Sequence, residues 1–131
     1  MTQQKYDGFV NTTGVEAIPV AGAVDVYSNS IKIDRSDDLS IYLKATGAGV
    51  VNVLVKLEVG MARPNTEGSS DTAWSTPDGY ADIKNLVNTD LFQKKLADIG
   101  FPFVRLKLEG QGANGADVTV TGRLFKQQKT L

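Results

Sequence analysis

The 131-residue chain contains no cysteine and no histidine. The first absence excludes a disulfide framework and structural zinc sites built from thiolates. The second removes the usual general base near neutral pH, the commonest transition-metal ligand and every Ser-His or Cys-His nucleophile pair. Charge of one sign is lacking too. Lys and Arg number 14 against 15 Asp and Glu, a net charge of −1, so no bulk field draws the chain toward nucleic acid or an anionic bilayer. No apolar run approaches the ~20 residues of a membrane-spanning helix. The segment Met1 to Gly8 carries no apolar signal-peptide core, and the expectation is a protein kept in solution. This length fits one domain, able to bury roughly two thirds of the surface its unfolded form exposes.

What is present is alternation of period two. From Val51 to Val59, Val51, Val53, Val55, Leu57 and Val59 share one face, while Asn52, Leu54, Lys56 and Glu58 share the other. Such a pattern marks a strand with one dry side. Leu39 to Ala45 and Val104 to Glu109 repeat it, and Val118 to Leu124 adds β-branched residues on both faces, as strands favour. Shorter candidates are Val15 to Val20, Ala23 to Tyr27 and Ile31 to Ile33. Thr46-Gly47-Ala48-Gly49 separates two strong strands and Gly110 to Gly115 separates two more; both read as hairpin turns in which glycine supplies positive φ. One-sided alternation of this kind predicts an all-β fold, an antiparallel two-sheet β-sandwich of jelly-roll or Ig-like type.

One stretch departs from that pattern. Thr89 to Gly100 opens with a Thr or Asp cap, spaces Leu91, Phe92, Leu96 and Ile99 near a helical period, and ends at glycine. It predicts a short helix over 89–99. Met61 to Gly79, rich in Ser, Thr, Asp, Gly and Pro, reads as a long surface loop. Residues 1–14 show no strong period and are expected to form an arm, with a single domain over 15–131.

Gly110, Gly112 and Gly115 spell the dinucleotide fingerprint, but Ala116 to Val120 then reads as a strand. No helix N-terminus would receive a pyrophosphate, so no cofactor site is assigned. Asp34-Arg35-Ser36-Asp37-Asp38 suggests calcium, yet Leu39 stands where an EF-hand loop needs glycine and Ala45 where it needs glutamate; a turn is the reading, and no metal site is assigned. Glu58, Glu67, Asp71, Asp78, Asp82 and Glu109 show no acid-base pair in the sequence, so no catalytic residue is named and no enzyme is expected. Trp74, the only tryptophan, has three readings: a plug over the core, an anchor at a protein interface, or a platform for sugar. Lys44, Lys56, Arg105, Lys107 and Arg123 fall on the wet phase of strands. They would form either solvated pairs with acids such as Glu58 and Glu109 or a strip docking to an acidic protein. Nucleic-acid binding lacks interleaved aromatics. Asn11-Thr12-Thr13 is a glycosylation sequon by letters alone.

The strand Leu39 to Leu43, the long strand Val51 to Val59, the loop ending Thr72-Ala73-Trp74-Ser75 and the run Phe101 to Lys107 leading into a last strand pair span Ile31 to Lys126. In this order they resemble small β-sandwich structural proteins of tailed bacteriophage virions. The resemblance implies a capsid decoration or cement protein, made in the host cytoplasm and located on the virion. Its partner would be the major capsid protein or another virion protein, and it would act as a homo-oligomer, with trimers suiting threefold lattice positions. Binding only the assembled shell would stabilise that state by mass action. The partner-binding residues on this reading are Tyr6 and Phe9 in the arm with Trp74, Lys56, Arg105, Lys107 and Arg123. The alternatives are a carbohydrate-binding or adhesive module using Trp74 and Tyr80, and a tail or head-to-tail connector component.

Overall fold

The structure, a computed structural model, describes residues 2–8, 16–33, 38–60, 74–88, 91–96, 99, 101, 103–112 and 114–129; for 2–8, 125 and 127–129 it describes the backbone. The strands in chain order are β1 (Thr2–Gly8), β2 (Ile18–Pro19), β3 (Asp25–Tyr27), β4 (Ile31–Lys32), β5 (Asp38–Thr46), β6 (Asn52–Gly60), β7 (Lys84–Val87), β8 (Leu91–Leu96), β9 (Phe103–Gly110) and β10 (Thr119–Lys129). They form two antiparallel sheets. In the first the order is β1-β10-β5-β8, with β2 also on β10; in the second it is β3-β9-β6-β7, with β4 also on β9. Each sheet therefore has one edge made of two short strands in succession. Of the residues expected to form an arm, 2–8 run as β1 along β10, while Phe9 lies outside the described residues.

The alternation does what the sequence implies. Leu39, Ile41, Leu43 and Ala45 of β5 and Val53, Val55, Leu57 and Val59 of β6 are buried in one cluster with Val104, Leu106, Leu108, Val120 and Leu124 of β9 and β10. Each large aliphatic side chain buried in this way stabilises the fold by about 1.5–3 kcal/mol relative to exposure. The two-sheet sandwich is thus the observed architecture.

Two expectations about its parts are corrected. No helix occurs among the described residues, and Leu91–Leu96 is strand β8, paired with β5 from Lys44↔Leu91 to Leu39↔Leu96. Phe92 and Leu96 lie in register with buried Leu43 and Leu39, so period two governs here as well. The helical spacing was coincidental with an edge strand whose inward phase also contains Lys94, opposite Ile41. A charge at that position discourages further strand addition. The open backbone edge of β5 decides the conformation, because its donors and acceptors need partners.

The glycine turns are the second correction. Segments 47–51 and 111–118 do not close hairpins, since β5 and β10 belong to one sheet and β6 and β9 to the other. Both are arches from sheet to sheet. Local turn chemistry is common to hairpin and arch, and what wins is pairing between strands of matched length: β5 along β10 and β6 along β9. The arches are stitched together, with the Ala48 N–H donating to Asp117 Oδ2 at 2.8 Å. Asn114 acts as a missing strand residue: its Oδ1 accepts from Asn52 N–H at 2.6 Å, and its Nδ2 donates to the Asn52 and Gly22 carbonyls at 2.9 and 3.0 Å. The segment following the masked part of the long loop lies against β6, with Ser75 bridged to Val59 and the Leu57 N–H donating to the Tyr80 carbonyl at 3.1 Å.

Gly122 marks the tightest approach in the first sheet. A Cβ there would collide with the carbonyl oxygen of Tyr42 and crowd Leu43. Overpacking costs about 1–3 kcal/mol, and a clash with backbone lies at the upper end because neither strand can step aside. Gly122→Ala is expected to lower the unfolding free energy by roughly 3 kcal/mol in urea titration, whereas Gly49→Ala, which meets nothing within 4 Å, leaves it nearly unchanged.

Candidate functional site

A sandwich hides its inner faces, so any binding surface is an outer face, a loop end or an edge. The outer face of the second sheet is occupied by its own residues. Arg105 of β9 lies opposite Glu58 of β6 in register, with Nε and Nη2 each 2.7 Å from Glu58 Oε1. Its guanidinium is held between two rings, 4.2 Å from the Tyr27 centroid and 4.4 Å from that of Trp74. The side chain is 0% exposed. Cationic contact with aromatic faces and a charge-assisted hydrogen bond compensate its desolvation. Farther along, Lys56 Nζ is 3.0 Å from Glu109, and Lys107 Nζ is 3.1 Å from Glu109 and 3.8 Å from Asp25. Burial pushes the Glu109 carboxyl upward, but hydrogen bonds from Lys56 and Lys107 outweigh it and hold the group below the usual carboxylate range. Burial likewise lowers Lys107, and the bond to Glu109 with the nearby negative charge more than offsets this, so its ammonium titrates above the ordinary lysine value.

The outer face of the first sheet is open. Tyr42 stands in the middle of β5, paired on one side with Arg123 of β10 and on the other with Gln93 of β8. Its ring is half-buried and separates two depressions. One, about 420 Å³, is lined by Ser40, Tyr42, Gln93, Lys94 and Lys95. The other, about 490 Å³, is lined by Glu16, Tyr42, Lys44, Thr121, Gly122 and Arg123. Together they cross β10, β5 and β8, presenting one aromatic face among hydroxyl, amide, ammonium, guanidinium and carboxylate groups. Lys95 Nζ lies 3.1 Å from Asp38 Oδ2, a carboxylate whose side chain is only 3% exposed.

The residues singled out from sequence scatter. Lys56, Arg105 and Lys107 share the second sheet's outer face with acidic partners, whereas Lys44 and Arg123 flank Tyr42 on the first. Tyr6 is in β1, in register with Phe125. Trp74 is 5% exposed, which settles its three readings in favour of the plug and removes it as a sugar platform; Tyr80 packs against the core cluster. Of the segment Asp34 to Asp38, only Asp38 is described. Gly110 closes β9 beside Gly22, in a segment with no helix to follow it. Tyr42, Gln93, Lys95, Ser40, Thr121 and Glu16 were missed. Tyr42 alone left a signal: it is the aromatic residue out of phase with Leu39, Ile41, Leu43 and Ala45, and a large apolar body on the wet side of a strand calls for a partner.

No protein-family model matches this chain, and no curated protein sequence does. Among solved structures the chain is similar to the CBM36-1 domain of a multidomain xylanase from the hindgut metagenome of Trinervitermes trinervoides. That match has 8% identity, covers 100% of this chain and 99% of the other, and has a TM-score of 0.40. It is also similar to a CBM36 carbohydrate-binding module solved with calcium and xylotriose, at 11% identity over 98% and 99% of the two chains and a TM-score of 0.38. Likeness at this level transfers neither site residues nor ligands. The expectation of a capsid decoration protein is nevertheless corrected: these neighbours are carbohydrate-binding modules and not virion proteins. The features assigned to capsid docking are also spent inside the fold, with Trp74 and Arg105 buried and Lys56 and Lys107 ion-paired.

Truncating one member of a buried pair strands the other, at a cost of about 3–5 kcal/mol. Glu58→Ala or Arg105→Ala is expected to destabilise by that amount in urea, and the double replacement Glu58→Leu with Arg105→Met by less than either. The Glu109 carboxyl, depressed in the folded state, stabilises above the ordinary carboxylate range, and that stabilisation is lost as pH falls through its folded value. The Lys107 ammonium, raised in the folded state, stabilises below the ordinary lysine value and ceases to do so as pH climbs through its folded value. Glu109→Gln is expected to flatten the acid limb of a plot of melting temperature against pH.

Proposed function

We propose that this chain is a non-catalytic module that binds a carbohydrate chain across Tyr42 on the outer face of the first sheet. The observation that carries the reading is the half-buried Tyr42 ring between two open depressions with polar walls. A sugar ring has an apolar face of C–H bonds and a rim of hydroxyls. It therefore suits one aromatic platform surrounded by groups that donate and accept hydrogen bonds. A protein interface of standard size would instead centre on a larger apolar patch. The depressions run across three strands and are open, which suits a polymer better than a small molecule enclosed on most sides.

The non-catalytic part is supported by composition and lining. The sequence has no histidine or cysteine, and among the described lining residues Glu16 is the one carboxylate, where glycoside hydrolysis needs two flanking the bond. The strand order, in which successive long strands alternate between sheets, is that of a jelly roll. That architecture serves many functions, lectins among them, and decides none by itself.

Affinity electrophoresis and calorimetry against a panel of soluble polysaccharides test the reading. Binding is expected to at least one, and Tyr42→Ala is expected to weaken it by about tenfold or more, equivalent to roughly 1.4 kcal/mol, without shifting the melting temperature. Trp74 emission is expected to stay constant on saturation, because that ring lies on the far sheet. A panel that fails to retard the wild-type protein would refute the proposal.

A further inference from the structure

The two outer faces of the sandwich differ in charge, and the near-neutral total conceals it. On the second sheet Lys56, Arg105 and Lys107 each meet a carboxylate: Glu109, Glu58, and Glu109 with Asp25. On the first, the described residues lining the depressions beside Tyr42 include four cations, Lys44, Lys94, Lys95 and Arg123, and one carboxylate, Glu16. Asp38 adds a second acid, but it is nearly sealed from solvent beneath Lys95. The cations stand on both sides of the ring, on β10 and β5 in one depression and on β8 in the other. The β10 and β8 backbones that carry them are two strand spacings apart, roughly 10 Å across the sheet. The arrangement is a platform flanked by positive charge along the direction a bound chain would follow.

Resting on the carbohydrate-binding reading of the same site, we propose that the ligand is an acidic polysaccharide, a chain of uronic acid residues. Each such residue carries a ring face for Tyr42 and a carboxylate at its rim. A guanidinium such as that of Arg123 can grip a carboxylate with two parallel hydrogen bonds, and the lysines supply point charges that tolerate variation in position. A neutral chain would leave these groups without a matching charge. A field of one sign over an open groove also concentrates a polyanion near the surface, and salt weakens that effect.

The experiment is calorimetry and affinity electrophoresis of the full chain with four probes: polygalacturonic acid, its fully methyl-esterified form, dextran sulfate and a neutral β-glucan. Polygalacturonic acid is expected to bind, with affinity falling as sodium chloride rises, and the methyl ester at least tenfold more weakly. Lys44→Gln combined with Arg123→Gln is expected to weaken polygalacturonic acid at least tenfold at unchanged melting temperature, and Tyr42→Ala to weaken it as well. Equal, Tyr42-dependent binding of the methyl ester or the β-glucan would overturn the acidic ligand and keep a carbohydrate site. Dextran sulfate binding as tightly as polygalacturonic acid, or binding indifferent to Tyr42→Ala, would reduce the face to a general polyanion surface and overturn the inference. No binding to any probe would overturn the inference together with the reading beneath it.

Discussion

Each central strand of this protein has one face that must leave water and one that need not. In β5 and β6 the aliphatic residues recur at every second position, and in β9 and β10 the same phase supplies Val104, Leu106, Leu108, Val120 and Leu124. Closure of two sheets over these stripes is the constraint from which the remaining architecture follows. It obliges segments 47–51 and 111–118 to carry the chain from one layer to the other, and it leaves the ends of the core to be sealed by whatever polar groups the arches can spare. Asn114 and Asp117 fill that role by giving backbone donors and acceptors the partners that a continuing strand would have offered.

The same closure puts every side chain of the opposite phase on an outer face, and there the two sheets part company. Over the second sheet, Trp74 returns from the long loop and Tyr27 rises from β3, turning Arg105 from a surface cation into a buried one. Desolvating a guanidinium is costly, and Glu58 in the facing register position makes it tolerable. The neighbouring charges form a partly exposed network in which Glu109 serves two lysines. That face is occupied by its own internal interactions. Over the first sheet no described segment covers Tyr42, so the polar groups beside it keep their capacity for an outside partner.

The sandwich was legible in the sequence because period-two alternation is a direct record of burial. Val53, Val55, Leu57 and Val59 could be assigned to the core from spacing alone. Connectivity was not legible, because Gly47, Gly49, Gly110 and Gly112 make a tight turn possible without saying whether the next strand lies beside the last or across the core from it. Leu91 to Leu96 misled for a related reason: with three polar residues in a six-residue edge strand, two apolar anchors fit either period, and the vacant edge of β5 made the choice. The site was half visible. Tyr42, Lys44 and Arg123 could be placed on wet faces, but which wet faces join into one surface depends on pairing between residues some eighty positions apart, and Lys56 and Arg123 look alike until that pairing is known.

The pairing also explains why a binding surface can stand on strands at this place. Gly122 lines one depression and lies where any side chain would strike the Tyr42 carbonyl. Its hydrogen atom lets β10 approach β5 beside the ring, and the register then fixes Arg123 opposite Tyr42. The positions of the aromatic platform and its nearest cation are therefore set by the tightest contact in the sheet and need not be assembled when a ligand arrives. Ordering a loop would subtract from the affinity of a site with few contacts, and a backbone already held on both sides avoids that loss. An open, shallow groove with one aromatic residue can hold a ligand usefully only under this condition, and the first sheet meets it.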